Sequence, residues 1–162
     1  MSDLRFESVE ESVEQSDEES VEPERVLLDW QHVHNLIIPT DPLSVEDIRV
    51  RAQRNRLAVA YAGDTLVGNY TVRPPADDPI AATVIARVLP EHRRQGFGEQ
   101  IYRHALTVAA GLGATAVETV VLESNADGLR FALRHGFAET DRYLLDGHAI
   151  AFVDLRRERL SD

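Results

Sequence analysis

Apolar positions recur along this chain with two periods, and the switches between them divide it into elements. Val26, Leu27, Trp30, Val33, His34 and Ile37 repeat at helical spacing, so a helix is predicted from about Pro23-Glu24 to just before Pro39. Ser44 and Asp47 make a cap-like start for a second helix over about 45–54. The pattern then shortens. Leu57–Ala62 and Thr65–Val72 read as strands joined by the turn signal Gly63-Asp64. After a proline-rich loop at 74–79, Ile80–Leu89 is a long apolar strand. Phe97, Ile101, Ala105, Val108, Ala109 and Leu112 form one helical face, closed by Gly111 and Gly113. Ala116–Leu122 carries apolar residues of both parities and is predicted to be a strand covered on both faces. A short helix follows over about 126–135. Phe137–Leu145 and His148–Leu155 then make a final hairpin around Asp146-Gly147.

Hairpin strands thus come first and a β–α–β–α–β section second. That order predicts an α/β (α+β) domain with a mixed sheet and helices on its faces. A doubly wound dinucleotide fold would need regular alternation from the start.

Composition changes this picture mainly at the N-terminus. The net charge is −11, and residues 1–24 supply −9 of it through ten acidic residues against one arginine. Glu-Ser-Val-Glu at 7–10 recurs in degenerate form at 11–14, 15–18 and 19–22. Such a stretch buries too little apolar surface to offset its ordering entropy. Residues 1–24 are therefore either a solvated acidic tail or a first strand at Leu4–Val9 with an acidic loop or helical start behind it. The compact domain is predicted to span 25–162.

Length and apolar content (162 residues, 43%) suit one domain with a full core. There is no cysteine, which excludes disulfides and thiolate metal sites. His32 and His34 lie on different sides of a helix, so no metal is expected. All 17 basic residues are arginine. The acidic balance argues against nucleic acid. No apolar run is long enough to span a bilayer, and the acidic N-terminus is unlike a signal peptide, so a cytoplasmic protein without membrane association is expected.

The most informative segment is Val88-Leu89-Pro90-Glu91-His92-Arg93-Arg94-Gln95-Gly96-Phe97-Gly98. A strand runs into a proline, a basic loop follows, and a helix starts at once. Free N–H groups and the positive end of the dipole then face the loop, which makes an anion site. Gly96 and Gly98 let a phosphate approach the backbone, and Arg93 and Arg94 add charge in a geometry suited to phosphate. A Walker-type loop needs a lysine the chain lacks. A nicotinamide fingerprint needs a glycine at position 101, which is Ile.

Arg93-Arg94-Gln95-Gly96-Phe97-Gly98 resembles the Arg/Gln-x-x-Gly-x-Gly/Ala signature of the GCN5-related N-acetyltransferases (GNAT). Asn125 followed by Gly136-Phe137 resembles the same family's Asn…Gly-Phe segment. The resemblance covers roughly residues 25–155. It implies a mostly antiparallel central sheet, here six strands or seven with Leu4–Val9, flanked by the four helices read above. It also implies acetyl-CoA, or another acyl-CoA, as donor and a small-molecule or peptide amine as acceptor. The pyrophosphate would rest on the amides of Arg94, Gln95, Gly96, Phe97, Gly98 and Glu99, with Arg93 adding charge. The pantetheine arm would pair with Ala86, Arg87 and Val88 like an added strand. Asn125 would hydrogen-bond that arm, cap the helix at 126–135, or do both. Family members often form homodimers.

The catalytic residues follow less directly. The family's usual tyrosine acid falls at Ala132, which has no proton to donate. Tyr143 and Ser124 are candidates for the acid. Glu123, at the end of its strand, is the candidate base, with Glu118 a weaker one and ordered water another route. The oxyanion donor is expected to be a backbone N–H near Val88. Ala132 also leaves room for a different class of protein, an acyl-CoA-binding sensor or interaction module without turnover.

Overall fold

The computed structural model describes residues 3–10 and 22–160. Seven strands form one sheet: β1 (Arg5–Ser8), β2 (Arg56–Ala62), β3 (Thr65–Arg73), β4 (Ala81–Val88), β5 (Ala116–Leu122), β6 (Ala138–Tyr143) and β7 (Phe152–Arg157). Their spatial order is β1-β2-β3-β4-β5-β7-β6. The β4–β5 pair is parallel and all others are antiparallel. Four helices belong to the described residues: α1 (Glu22–Ile37), α2 (Val45–Arg54), α3 (Phe97–Gly111) and α4 (Ala126–Arg134).

Strand alternation sorts side chains onto the two faces. On β2, Ala58 and Ala60 enter a core with Ile101, Ala105 and Ala109 of α3, while Leu57, Val59 and Tyr61 enter a second with Leu27 and Trp30 of α1 and Ile48 of α2. Both faces of this half of the sheet are therefore covered. A third, smaller cluster joins Ile38 to Leu122 and Phe152 on the α1 face. Trp30 anchors α1 across the sheet, with its indole N–H donating to the Tyr70 carbonyl at 3.1 Å.

Local signals set most element bounds. The Ser44 hydroxyl accepts from the Asp47 N–H at 3.1 Å, and the Asp47 carboxylate accepts from the Ser44 N–H at 2.9 Å, a complete capping box for α2. Ser44→Ala is expected to cost about 1 kcal/mol, measurable by urea unfolding.

The sheet decides three points. First, Arg5–Ser8 forms a strand paired with β2, which is the second of the two readings given for residues 1–24. Residues 11–21, which hold most of the acidic repeat, lie outside the described residues. Second, Asp146-Gly147 turns as expected, with the His148 N–H donating to the Leu145 carbonyl at 3.0 Å, but the hairpin is looser than a two-residue turn. Its connection runs from Leu144 to Ala151, and β7 is displaced towards the C-terminus by its pairing with β5, from Leu122↔Phe152 to Val117↔Arg157. Third, Thr119, Val120 and Val121 of β5 are only half-buried. Their exposure follows from a gap beside β4. No described helix is long and apolar enough to cross a membrane.

Candidate active site

β4 and β5 start as neighbours and then part. They pair only at Ala81↔Ala116, Ala82↔Val117 and Thr83↔Glu118, although β4 continues to Val88 and β5 to Leu122. Between the diverging ends lies a cleft of about 640 Å³. That is the size of a ligand pocket. It runs from the N-terminal end of α3 (Arg94, Gly96, Gly98) through the gap to Ile37 and Ile38 at the end of α1.

The backbone groups at the gap can be assigned from the ladder. The Leu89 N–H donates to the Val67 carbonyl, so the hydrogen-bonded pairs of β3 and β4 fall at 85, 87 and 89. Val84, Ala86 and Val88 therefore direct their N–H and C=O groups away from β3, towards the gap. The Arg93 Nε donating to the Val88 carbonyl at 3.1 Å agrees with this. On the other bank, the Glu123 N–H donates to the Ala151 carbonyl, which leaves Val120 and Leu122 facing the gap. The gap is thus a parallel ladder opened along its length, with unpaired strand edges on both banks.

The loop before α3 is held in an unusual conformation. Arg94 (φ 63) and Gly96 (φ 81) both lie in the left-handed region. For Arg94 this costs about 1–2 kcal/mol, strain of the kind stored in ligand-binding loops. A short 3₁₀ turn (Pro90–His92) leads in, and Gly96 is the N-cap of α3 without a side-chain cap. The first amides of α3 therefore face the cleft mouth without an internal partner.

The structure separates the expected cofactor residues into groups. Gly96, Gly98, Glu99, Arg94 and Asn125 line the cleft. Asn125 caps α4, its side-chain oxygen accepting from the Gly128 N–H at 3.0 Å. Arg93 also lines it, but its guanidinium turns back to the Val88 carbonyl and to Asp127 (3.5 Å), tying the loop to β4 and α4. Gln95 is exposed and off the cleft. The Phe97 ring is core, which leaves only its amide for a ligand. At Arg87 the expectation needs correction: its backbone is spent on β3, and its side chain lies on the α1 face.

None of the three catalytic candidates lines the cleft. Glu123 is exposed and paired with Arg142 at 2.9 Å. Ser124 is exposed beside it. The Tyr143 hydroxyl donates to Asp154 at 3.2 Å, and burial beside that carboxylate raises its pKa. Glu118 is engaged by Arg156 at 2.7 Å. Ala132 does line the cleft and is buried. Among the described residues, the carboxylates lining the cleft are Glu99, bonded to His135 (2.8 Å) and Arg103, and Asp127, bonded to Arg130 and Arg93. Asp127 is held below the ordinary aspartate range, chiefly by its bond to Arg130.

Sequence reasoning missed Tyr102 of α3, which lines the cleft, and a polar seam on the α1 face. Tyr102 falls one residue off the α3 apolar face and was thereby overlooked. The seam contains the buried polar residues His34, Asn69 and Thr71. A signal for it existed in β4, where Arg87 interrupts the inward positions between Ile85 and Leu89. His34 is pushed down to about 4 by burial first and by Arg87 second. Its unfolded-state value is near 6.5, so between those values the unfolded chain binds more protons. Stability is expected to fall by up to about 3 kcal/mol as pH drops from 6.5 towards 4. Comparing wild type with His34→Gln over that range isolates the contribution, because the stability difference between them should vary with pH between 4 and 6.5 and become constant above pH 7.

These features define an α/β protein with a cleft between two parted parallel strands and a helix N-terminus at its mouth. The model of the acetyltransferase (GNAT) family matches residues 9–137, and the chain belongs to that family. Solved structures share the fold. NAA60 of Arabidopsis thaliana, in complex with a bisubstrate analogue, superposes with a TM-score of 0.70 at 15% identity over 95% of this chain and 97% of that one. A GNAT family acetyltransferase from Elizabethkingia anophelis with acetyl-CoA bound gives 0.64 at 16% identity, over 96% and 98%. A Bacillus subtilis acetyltransferase in complex with CoA gives 0.62 at 21% identity, over 96% and 98%. No curated protein sequence matches significantly.

Proposed function

We propose that the chain transfers an acetyl group from acetyl-CoA to a primary amine, by direct attack in the gap between β4 and β5. The observation that carries this reading is the opened ladder, which puts an unpaired strand edge next to a helix N-terminus. The residues fit the donor. Unpartnered amides of α3 and the Arg94 side chain suit a pyrophosphate. The outward N–H and C=O of Ala86 suit an amide-bearing arm added as a strand, with Val88 at its acyl end. Bound acetyl-CoA supplies the activated acyl group and a thiolate leaving group, whose parent thiol, with a pKa of about 8.5, departs at neutral pH without a strong acid.

This chain's own residues do the rest. The Val88 N–H points into the gap and is the donor for the acyl oxygen. Apolar walls from Ile37, Ile38 and Leu122 exclude water and favour the neutral amine. The attacking amine's proton leaves through solvent, since Glu99 and Asp127 are both held in ion pairs.

Thiol release from acetyl-CoA with a panel of amines tests the proposal. Amine-dependent release should occur and should be lost in Gly96→Glu. Ala132, with Tyr143 and Glu123 engaged elsewhere, favours a second reading, an acyl-CoA-binding module. Tight acetyl-CoA binding with no release across the whole panel would select that reading instead.

A further inference from the structure

Beside the α1 end of the cleft runs a seam of polar groups, of which Arg87 lines the cleft while His34, Asn69 and Thr71 lie buried behind it. His34 of α1, Asn69 and Thr71 of β3, and Arg87 of β4 lie on the α1 face, between the apolar cluster around Trp30 and the one around Leu122. Cross-strand register sets Asn69 directly opposite Arg87 and Thr71 opposite Ile85. Three of these side chains carry a buried polar atom with no hydrogen-bond partner: Arg87 Nη1, Asn69 Oδ1 and His34 Nδ1. The remaining bonds fix what each atom is. Asn69 Nδ2 donates to the Trp30 carbonyl at 3.2 Å, so Oδ1 is the free acceptor. His34 Nε2 donates to the Asp41 carbonyl at 3.1 Å, so Nδ1 carries a bare lone pair. Neither accepts from Arg87.

The charge at this seam is one-sided. Arg51 and Arg54 of α2 act on Arg73 of β3, and Arg73 and Arg51 act on Arg87, so each of Arg73 and Arg87 is pushed below the usual arginine range, first by burial and then by other arginines. Asp154 acts on Arg73 and Asp41 on His34 without forming an ion pair with any of these arginines. Among the described residues no carboxylate lies within 4.0 Å of the four. Arg87 is half-buried, but its Nη1 is buried and unpartnered, and a guanidinium so placed without a counter-ion is costly. Here Arg87 also lines the cleft, together with Ile37, Ile38 and Ile85. An anion that enters the cleft would supply the missing partner.

We propose that Arg87 binds an anionic group on the acceptor, so that the amine acetylated belongs to a small, largely apolar molecule that also carries a carboxylate or a phosphonate. This rests on the acetyl-transfer reading above. Arg87 offers its fork to the anion, and the arginines behind it keep the site positive although the protein as a whole is acidic. The Ile37, Ile38 and Ile85 walls favour an apolar remainder.

The test compares leucine and 1-aminoalkylphosphonates with leucinamide and isoamylamine, by initial rates and by titration. Wild type should favour the anionic acceptors in kcat/KM by at least about 100-fold, above what an apolar pocket alone gives for a small change in the ligand and below the roughly 10⁴-fold of a fully enclosed polar site. In Arg87→Met that preference should collapse to within about 3-fold, while Arg87→Lys should keep part of it. Without ligand, Arg87→Met should melt no lower than wild type, since an uncompensated buried charge is removed. Titration of N-acetylleucine and its phosphonate counterpart into the CoA-saturated protein reads the site independently of turnover, and the two probes separate carboxylate from phosphonate. The proposal is overturned if neither probe binds at about 10 mM, if neutral or cationic amines are the better acceptors, or if Arg87→Met leaves the preference intact. The last result would mean that buried water alone satisfies the seam. Failure of acetyl-CoA itself to bind would overturn the transfer reading first, and this proposal with it.

Discussion

Gly96→Glu is expected to lower acetyl-CoA affinity by at least about 100-fold, equivalent to about 2.7 kcal/mol. Two effects add at this position. Gly96 sits at φ 81, where a side chain is strained by about 1–2 kcal/mol. The new carboxylate would also stand at the N-terminus of α3, where the pyrophosphate needs the amides and the positive dipole. Strain alone would lower stability by that modest amount and leave the protein folded. Isothermal titration beside a thermal melt separates the two, and the loss of binding should far exceed the loss of stability.

Gly68→Ala is expected to destabilise the fold on the order of 3 kcal/mol or more. A Cβ at Gly68 would stand 2.1 Å from the Arg87 carbonyl oxygen and 2.8 Å from Ile101 Cδ1. The carbonyl is backbone in a ladder between two central strands, so it cannot swing aside. β3 and β4 would have to separate where β4 carries the cleft wall. Urea unfolding gives the stability, and any surviving folded fraction should also bind acetyl-CoA more weakly.

Much of this architecture could be read locally. The box at Ser44 and Asp47, the Gly63-Asp64 turn and the strand–loop–helix passage from Val88 to Gly98 are each specified by a few adjacent residues, and the elements they bound appear within a residue or two. What local signals left open depends on distant pairing. Arg5–Ser8 sits in an acidic, repetitive context that reads equally as tail or strand, and it becomes a strand because β2 offers it an open edge. The extent of the β6–β7 hairpin follows β5 instead of the Asp146-Gly147 turn, and Arg157 helps fix its end by donating to the His135 carbonyl at 2.7 Å.

The candidate site divides the same way. The loop and Asn125 were visible because their chemistry is contiguous in sequence. Glu123 and Tyr143 looked available because Arg142 and Asp154, which engage them, are distant or lie across a strand pair. The parting of β4 from β5 leaves no trace in either strand's pattern, since both remain apolar. Arg87 was noted for its backbone, yet the ladder gives that backbone to β3 and leaves the side chain lining the cleft.

Hydrogen exchange of the full chain with and without acetyl-CoA locates the donor most directly. Saturating acetyl-CoA should slow exchange by about 10-fold or more at the amides of Ala86 and Val88 and across residues 94–99, while β2 and β3 are unchanged. Exchange unaltered at those positions under saturation, or protection confined to another part of the sheet, would contradict a donor site between β4 and β5.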